Sequence, residues 1–117
     1  MATENTVVVG VRSAEEVFTA LEEVDARRRP FTGYEQGLLE AYRWALGTRS
    51  AAPVTAAATA GPLGPCRAQL LAECQAAAVA IRTGADRTET ARVADGEQML
   101  GLYAGLAWLC GHHDDRP

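Results

Sequence analysis

The chain has 117 residues, of which 11 are basic and 15 acidic, so its formal net charge is −4 at pH 7. This length fits one domain over residues 1–117, and 48% hydrophobic against 22% charged residues excludes a chain that is disordered by composition. The acidic balance, with a pI near 5.1, disfavours a dedicated binder of nucleic acid or of anionic membranes.

The N-terminal segment predicts no secretion signal, and the cysteine count predicts a reducing compartment. Residues 1–10 read MATENTVVVG, with no positively charged start and only three consecutive valines. Three cysteines, an odd number, are typical of reduced thiols. Cys66 and Cys74 lie about 12 Å apart along one predicted helix, too far for a disulfide. We expect a cytoplasmic protein without a membrane span.

The first predicted element is a short extended arm within residues 1–12. Residues 6–12 read TVVVGVR, and a short run of β-branched residues favours a strand. A lone strand needs a partner for its backbone hydrogen bonds. Two candidates stay open: Val54 and Thr55 of the later linker, or the same arm of a second subunit.

Helix one is predicted over residues 14–28. Ser13 and Glu16 have the spacing of a capping box, in which each side chain satisfies a backbone N–H of the first turn. Pro30 stops the helix. The apolar stripe at helical spacing comprises Val17, Phe18, Leu21 and Val24.

Helix two is predicted between a second capping box, Thr32 with Glu35, and Gly47 as the residue that ends it. Its core stripe comprises Tyr34, Leu38, Ala41, Tyr42 and Ala45. Trp44 lies roughly 100° from the centre of this stripe. The pattern therefore leaves open whether a partner or the linker covers Trp44.

Residues 48–64 form a predicted linker rich in Ala, Thr, Gly and Pro. Pro53 and Pro62 break regular structure there. A loop of this length is uncommon inside a small domain. We expect it to connect two helical hairpins.

Helix three is predicted from Pro65 to Gly84, since proline is favoured at the first helical position. Its core face comprises Leu70, Leu71, Cys74, Ala77, Ala78 and Ile81. The opposite face carries small residues that allow another helix to approach closely, namely Ala68, Ala72, Ala76 and Ala80.

Helix four is predicted to begin near Asp86 or Thr88 and to end at Gly111, with a break or kink near Gly96. Between residues 99 and 110 its apolar side chains point in every direction, so this segment must be buried on all sides. Either the other helices or a second subunit supplies the cover. The whole pattern predicts an all-α fold, a small four-helix bundle with a short N-terminal arm and a flexible tail over residues 112–117.

Catalysis and metal binding are not predicted. The densest group of metal-binding residue types is in the tail, where Cys110, His112 and His113 precede two aspartates. A structural zinc site needs four converging ligands, and no second cluster completes this one. The glycine-rich residues 61–65 have prolines where phosphate-binding N–H groups are needed. We expect a non-enzymatic protein without a metal or cofactor.

DNA binding is the alternative function. Arg27, Arg28 and Arg29 lie in the short connection between helices one and two, as in a helix-turn-helix-like module whose arginines contact phosphate. The acidic net charge argues against this function.

Protein binding is the preferred prediction. Aromatic residues and arginine are frequent interface anchors. The candidate partner-binding residues are Arg43, Trp44, Met99, Tyr103 and Trp108. Gly101 and Gly105 also allow helix four to contact a second copy closely, although a tight four-helix core uses glycines in the same way. We expect a regulatory, adaptor or phage-type accessory protein that acts as a homodimer.

Overall fold

The structure, a computed structural model, describes residues 8–9, 11–48, 51–55, 65–84 and 89–117. In these residues two short strands precede four helices: β1 (Val8–Val9), β2 (Arg12–Ser13), α1 (Ala14–Asp25), α2 (Gly33–Ala45), α3 (Arg67–Gly84) and α4 (Glu89–Leu109). The predicted all-α bundle is confirmed. The helices lie in the spatial order α1–α2–α4–α3, since α2 packs chiefly on α4, α1 on α2, and α3 on α4.

Two glycines allow the inner helices to pack with their backbones in contact. A Cβ atom at Gly37 of α2 would lie 2.1 Å from the Gln98 carbonyl oxygen of α4, and one at Gly101 would lie 2.0 Å from the Tyr34 carbonyl oxygen. Any side chain at either position would therefore force the helices apart. Gly101 and Gly105 serve this contact inside the chain, so they do not form the predicted contact between two copies.

The predicted helix ends are confirmed where their chemistry is local. The capping boxes of Ser13 with Glu16 and of Thr32 with Glu35 are both formed. Gly47 and Gly111 each adopt a φ of 82°, a left-handed conformation that suits glycine. At both sites the backbone makes the paired hydrogen bonds of a Schellman motif, such as His112 N–H to the Ala107 carbonyl at 2.9 Å.

Helix α1 is shorter than predicted and buries a narrower stripe. It ends at Asp25, so the three arginines follow the helix rather than occupying its last turn. Its buried residues are Val17, Ala20 and Val24, whereas Phe18 is exposed. Helix α1 packs chiefly on one neighbour, α2, which covers only the stripe directly facing it.

The N-terminal arm forms a hairpin rather than a lone strand. Val8 pairs with Ser13, and Val9 with Arg12, in an antiparallel register. The observed partner of β1 is therefore a second segment of the same arm, which neither candidate had named. The Val11 N–H also donates to the Leu109 carbonyl at 3.0 Å, which joins the hairpin to the C-terminal end of α4.

Helix α4 is continuous over Glu89–Leu109, so the break expected near Gly96 is wrong. The predicted start signals at Asp86 and Thr88 lie outside the described residues. The apolar C-terminal half is covered within the chain, with Leu102, Leu106 and Leu109 all buried, although Leu100 is exposed. Among the described residues, no helix is long and apolar enough to cross a membrane.

The close backbone contact at Gly37 predicts that alanine lowers stability there but not at Gly96, which has no such contact. Gly37→Ala places a methyl group against the α4 backbone, and we expect it to lower the free energy of unfolding by at least about 2 kcal/mol. Gly96→Ala is the matched control. No atom lies within 4 Å of its added methyl group, so we expect a gain of about 0.5–1 kcal/mol from helix propensity.

Urea unfolding followed by circular dichroism measures both variants against the wild type. A Gly37→Ala variant as stable as the wild type would contradict the backbone contact between α2 and α4.

Candidate functional site

Burial in the single chain removes two predicted interface residues from the surface. Trp44 is 1% exposed and Trp108 is 3% exposed. The reason is the central position of α2 and α4, which receive cover from two sides, so a residue off the predicted stripe is still enclosed. The remaining predicted anchors, Arg43, Met99 and Tyr103, are half-buried.

Arg43 lines a shallow cavity of about 280 Å³ between the end of α1 and the outer side of α2. The cavity is lined by Asp25, Arg29, Phe31, Gln36, Leu39, Glu40 and Arg43. Its positive charges are balanced locally, because Asp25 lies 3.2 Å from Arg29 and 4.0 Å from Arg43. Gln98 donates to Glu40 at 2.7 Å. The cavity therefore lacks the excess positive charge that an anion site needs.

Two residues of the arginine triplet, Arg27 and Arg29, form ion pairs with acidic residues of their own chain. Arg27 lies 3.5 Å from Glu35, and Arg29 pairs with Asp25 and lies 4.9 Å over the Phe31 ring. The hydrogen bonds of Glu35, above all from the Thr32 backbone, hold the pKa of its carboxyl below the usual range. Seven of the 13 residues of α2 are buried. Little of this helix is left to contact base edges in a groove.

Arg12 holds the C-terminal end of α4, a role that the sequence pattern did not indicate. Its guanidinium donates to the Trp108 carbonyl at 2.9 Å and to the His113 carbonyl at 2.6 Å. The same group lies 4.8 Å over the Trp108 ring. A cation at this end also balances the partial negative charge of the helix terminus. No local signal marks the contact, because it joins residues nearly the whole chain apart.

Glu73 anchors the linker to α3. Its carboxylate is buried and accepts the backbone N–H groups of Val54 and Thr55 at 2.5 and 2.9 Å, and the Thr55 hydroxyl at 2.8 Å. All three of these hydrogen bonds come from residues of the linker. These bonds satisfy a buried charge that would otherwise be strongly destabilising.

Tyr42 carries the one buried side-chain polar atom without a hydrogen-bond partner in the described part of the chain. Its ring packs edge-on against Trp108, with 6.0 Å between the centroids. Burial raises the pKa of the hydroxyl well above its usual value, so Tyr42 stays neutral. An unpaired buried hydroxyl costs stability.

The C-terminal end of α4 brings His112 to Cys74 of α3. The Cys74 Sγ atom lies 3.9 Å from His112 Nδ1. Among the described residues, no group of three His, Cys, Asp or Glu side chains has the geometry to hold a metal ion.

The outward face of α3 carries two exposed large apolar side chains, Leu71 and Val79. We define this α3 face as Ala68, Leu71, Ala72, Gln75, Val79 and Arg82, which are all exposed and lie on one side of the helix. Leu71 is 40% exposed and Val79 is 47% exposed. Leu71 was predicted in the core, but α4 covers only the opposite side, where Leu70, Cys74 and Ala77 are buried.

The other exposed large apolar residues lie on separate elements. They are Val11 before β2, Phe18 on α1, Tyr34 on α2 and Leu100 on α4. Singly exposed apolar side chains are common on protein surfaces and indicate no function. Only α3 among the described helices carries two of them.

Comparison with known proteins adds no function to this geometry. No protein-family model, curated protein or solved structure matches the chain.

The contacts of Glu73 predict how the linker is held. Glu73→Ala should lower the free energy of unfolding by about 1–3 kcal/mol and speed amide hydrogen exchange at Val54 and Thr55. Glu73→Gln keeps one oxygen acceptor, so we expect a smaller decrease in the free energy of unfolding than in Glu73→Ala. Glu22→Ala, at an exposed position, is the control. Unchanged exchange at both amides in Glu73→Ala would contradict the anchor.

The unpaired hydroxyl of Tyr42 makes a separate prediction. Tyr42→Phe removes a buried polar atom and keeps the ring contact with Trp108. We expect the free energy of unfolding in urea to stay constant or to rise by up to about 1 kcal/mol. A clear loss of stability would show that the hydroxyl has a hydrogen-bond partner after all.

Proposed function

We propose that the protein acts by binding protein rather than by catalysis, as a homodimer joined through the α3 face. In this role it is a regulatory or adaptor protein. The observation that carries the proposal is the exposure of Leu71 and Val79 together on the outward side of α3. A helix of this kind gains stability when a second surface covers its outward side.

A second copy of the chain fits the α3 face because the face is self-complementary. Leu71 and Val79 lie four residues on either side of Gln75. A two-fold axis at Gln75 would pair two α3 helices antiparallel and place Leu71 of each copy against Val79 of the other. The two Gln75 amides can hydrogen-bond to each other, since each has a donor and an acceptor.

Small residues and the absence of acidic side chains from the α3 face also support this pairing. Ala68 and Ala72 let a second helix approach closely. Arg82, at the end of the face, can keep its guanidinium in water while its stem covers apolar surface. One helix pair is a small interface beside the roughly 1,200–2,000 Å² of stable complexes. We therefore expect a reversible, concentration-dependent dimer.

The proposal includes a cytoplasmic location and does not extend to DNA binding. The three cysteines are all free thiols in the structure, which suits a reducing compartment. The arginine triplet, by contrast, has two of its members in ion pairs, and the net charge is negative. Neither feature favours contacts to phosphate.

Sedimentation equilibrium over a range of concentrations tests the homodimer. The wild type should shift from 12.4 kDa toward twice that mass as concentration rises. The double variant Leu71→Glu/Val79→Glu should raise the dimer Kd by roughly 30-fold or more, because each lost apolar contact occurs twice across the axis.

Leu100→Glu is the matched control for this experiment. Leu100 is 47% exposed, as is Val79, but it lies on α4. We expect the Leu100→Glu control to dimerise like the wild type. Both this control and the Leu71→Glu/Val79→Glu variant should keep the circular dichroism signal of a helical protein. A wild type that stays monomeric at every concentration, or a control as defective as the α3 variant, would overturn the proposed dimer.

A further inference from the structure

We propose that the cavity between α1 and α2 binds a free α-amino acid with an apolar side chain. The cavity has a volume of about 280 Å³. This is close to the lower limit of about 300 Å³ for ligand pockets, so it suits a ligand of amino-acid size. The site is distinct from the α3 face, because α2 separates it from α4, on which α3 packs. It gives the protein a small-molecule ligand in addition to a second copy of itself.

The apolar part of the cavity is formed by Leu39 of α2 and by Phe31, which lies in the connection between α1 and α2. Leu39 is buried, and Phe31 packs half-buried against the core. The Arg29 guanidinium lies 4.9 Å over the Phe31 ring and favours this position of the ring. An apolar ligand side chain would lose its contact with water against these two residues.

Glu40 offers the cavity a carboxylate that is not neutralised. It is half-buried, and its Oε1 atom accepts a hydrogen bond from the neutral Gln98 amide at 2.7 Å. Among the described residues, no arginine pairs with Glu40 and its Oε2 atom accepts no hydrogen bond. A partly buried carboxylate with a free oxygen is suited to an ammonium group, because a charged donor gives the stronger hydrogen bond.

Arg43 offers the opposite charge. Its guanidinium lies 4.0 Å from the Asp25 carboxylate, which is longer than a hydrogen bond, and both side chains are close to half exposed. Asp25 lies closer to Arg29, at 3.2 Å. In the part of the chain that the structure describes, the Arg43 guanidinium donates no hydrogen bond. Its planar group of N–H donors matches a carboxylate, which it can bind with two parallel bonds.

The two unsatisfied charges together indicate a ligand that carries both signs. Glu40 and Arg43 are three residues apart, a rise of about 4.5 Å along α2, and both line the cavity. An α-amino acid has its ammonium and carboxylate groups on one carbon atom, so a single small molecule reaches both residues. Asp25 and Arg29 already pair with each other. A third charge on the ligand would therefore have no partner in the cavity.

Titration of L-leucine into the isotope-labelled whole protein, followed by amide NMR, tests the site. L-leucine carries both charges and a branched apolar side chain. We expect saturable shifts, in the low-millimolar range or below, at the amides of Phe31, Leu39, Glu40 and Arg43, with the amides of α3 unchanged. Absence of saturable shifts at the cavity amides would overturn the proposal.

Three analogues of leucine test each contact without altering the protein. Isoamylamine lacks the carboxylate, isocaproate lacks the ammonium group, and glycine lacks the side chain. Each should bind roughly tenfold or more weakly than leucine, because each leaves one part of the cavity without a partner. If the amine or the acid bound as tightly as leucine, the recognition of both charges would be wrong. Equal binding of glycine would contradict the role of Leu39 and Phe31.

Two charge-removing variants test the protein side. Glu40→Gln and Arg43→Gln should each raise the Kd for leucine by roughly tenfold or more. Glu22→Gln and Arg28→Gln are the matched controls, since they remove the same charges at exposed positions outside the cavity. We expect both controls to bind leucine like the wild type and all four variants to keep the circular dichroism signal of a helical protein. Equal losses in the controls would show a general effect of net charge and overturn the two contacts.

Two further measurements separate this site from the proposed dimer. The Leu71→Glu/Val79→Glu variant should bind leucine with an unchanged Kd, whether or not the wild type dimerises. The wild type is also diluted without leucine while its amide NMR signals are followed. We expect the cavity amides to stay constant on dilution. Shifts at these amides would show that a second copy of the chain occupies the cavity, and the amino-acid site would then be wrong.

Discussion

The backbone contact between α2 and α4 is the constraint on which the rest of the fold depends. Gly37 and Gly101 let these helices touch without side chains between them, and Tyr42 packs edge-on against Trp108 within the same helix pair. Because α2 and α4 lie so close together at the centre, α1 and α3 are at opposite edges of the bundle, with one principal neighbour each. For the amphipathic α1, one neighbouring helix covers most of the apolar stripe. For α3, one neighbouring helix leaves Leu71 exposed, and this exposure is the origin of the proposed interface.

Features set by local chemistry could be predicted from the sequence, and features set by tertiary position could not. The cap formed by Ser13 and the turn at Gly47 depend on residues within one helical turn, so their spacing identifies them. The burial of Trp44 and the exposure of Phe18 depend on how many neighbours each helix has. Periodicity gives the direction of a stripe but not its width, because the width is set by the neighbouring helices.

The same division applies to the candidate sites. The small residues of α3 were visible in the sequence, and so were the separate thiols, but their arrangement depends on the helix order. Helix α3 carries different residues on its two sides: its outer side carries Leu71 and its inner side Cys74, with Glu73 beside it holding the linker.

The pairing of α2 with α4 has a consequence for how the protein is made. Tyr42 packs against Trp108 near the C-terminal end of α4, and Trp108 leaves the ribosome more than 60 residues after Tyr42. During synthesis the apolar side of α2 has no α4 to pack on until more than 60 further residues have been made, and the central contact then closes a long loop. Such late, non-local closure slows folding and exposes a nascent chain to aggregation and chaperone binding.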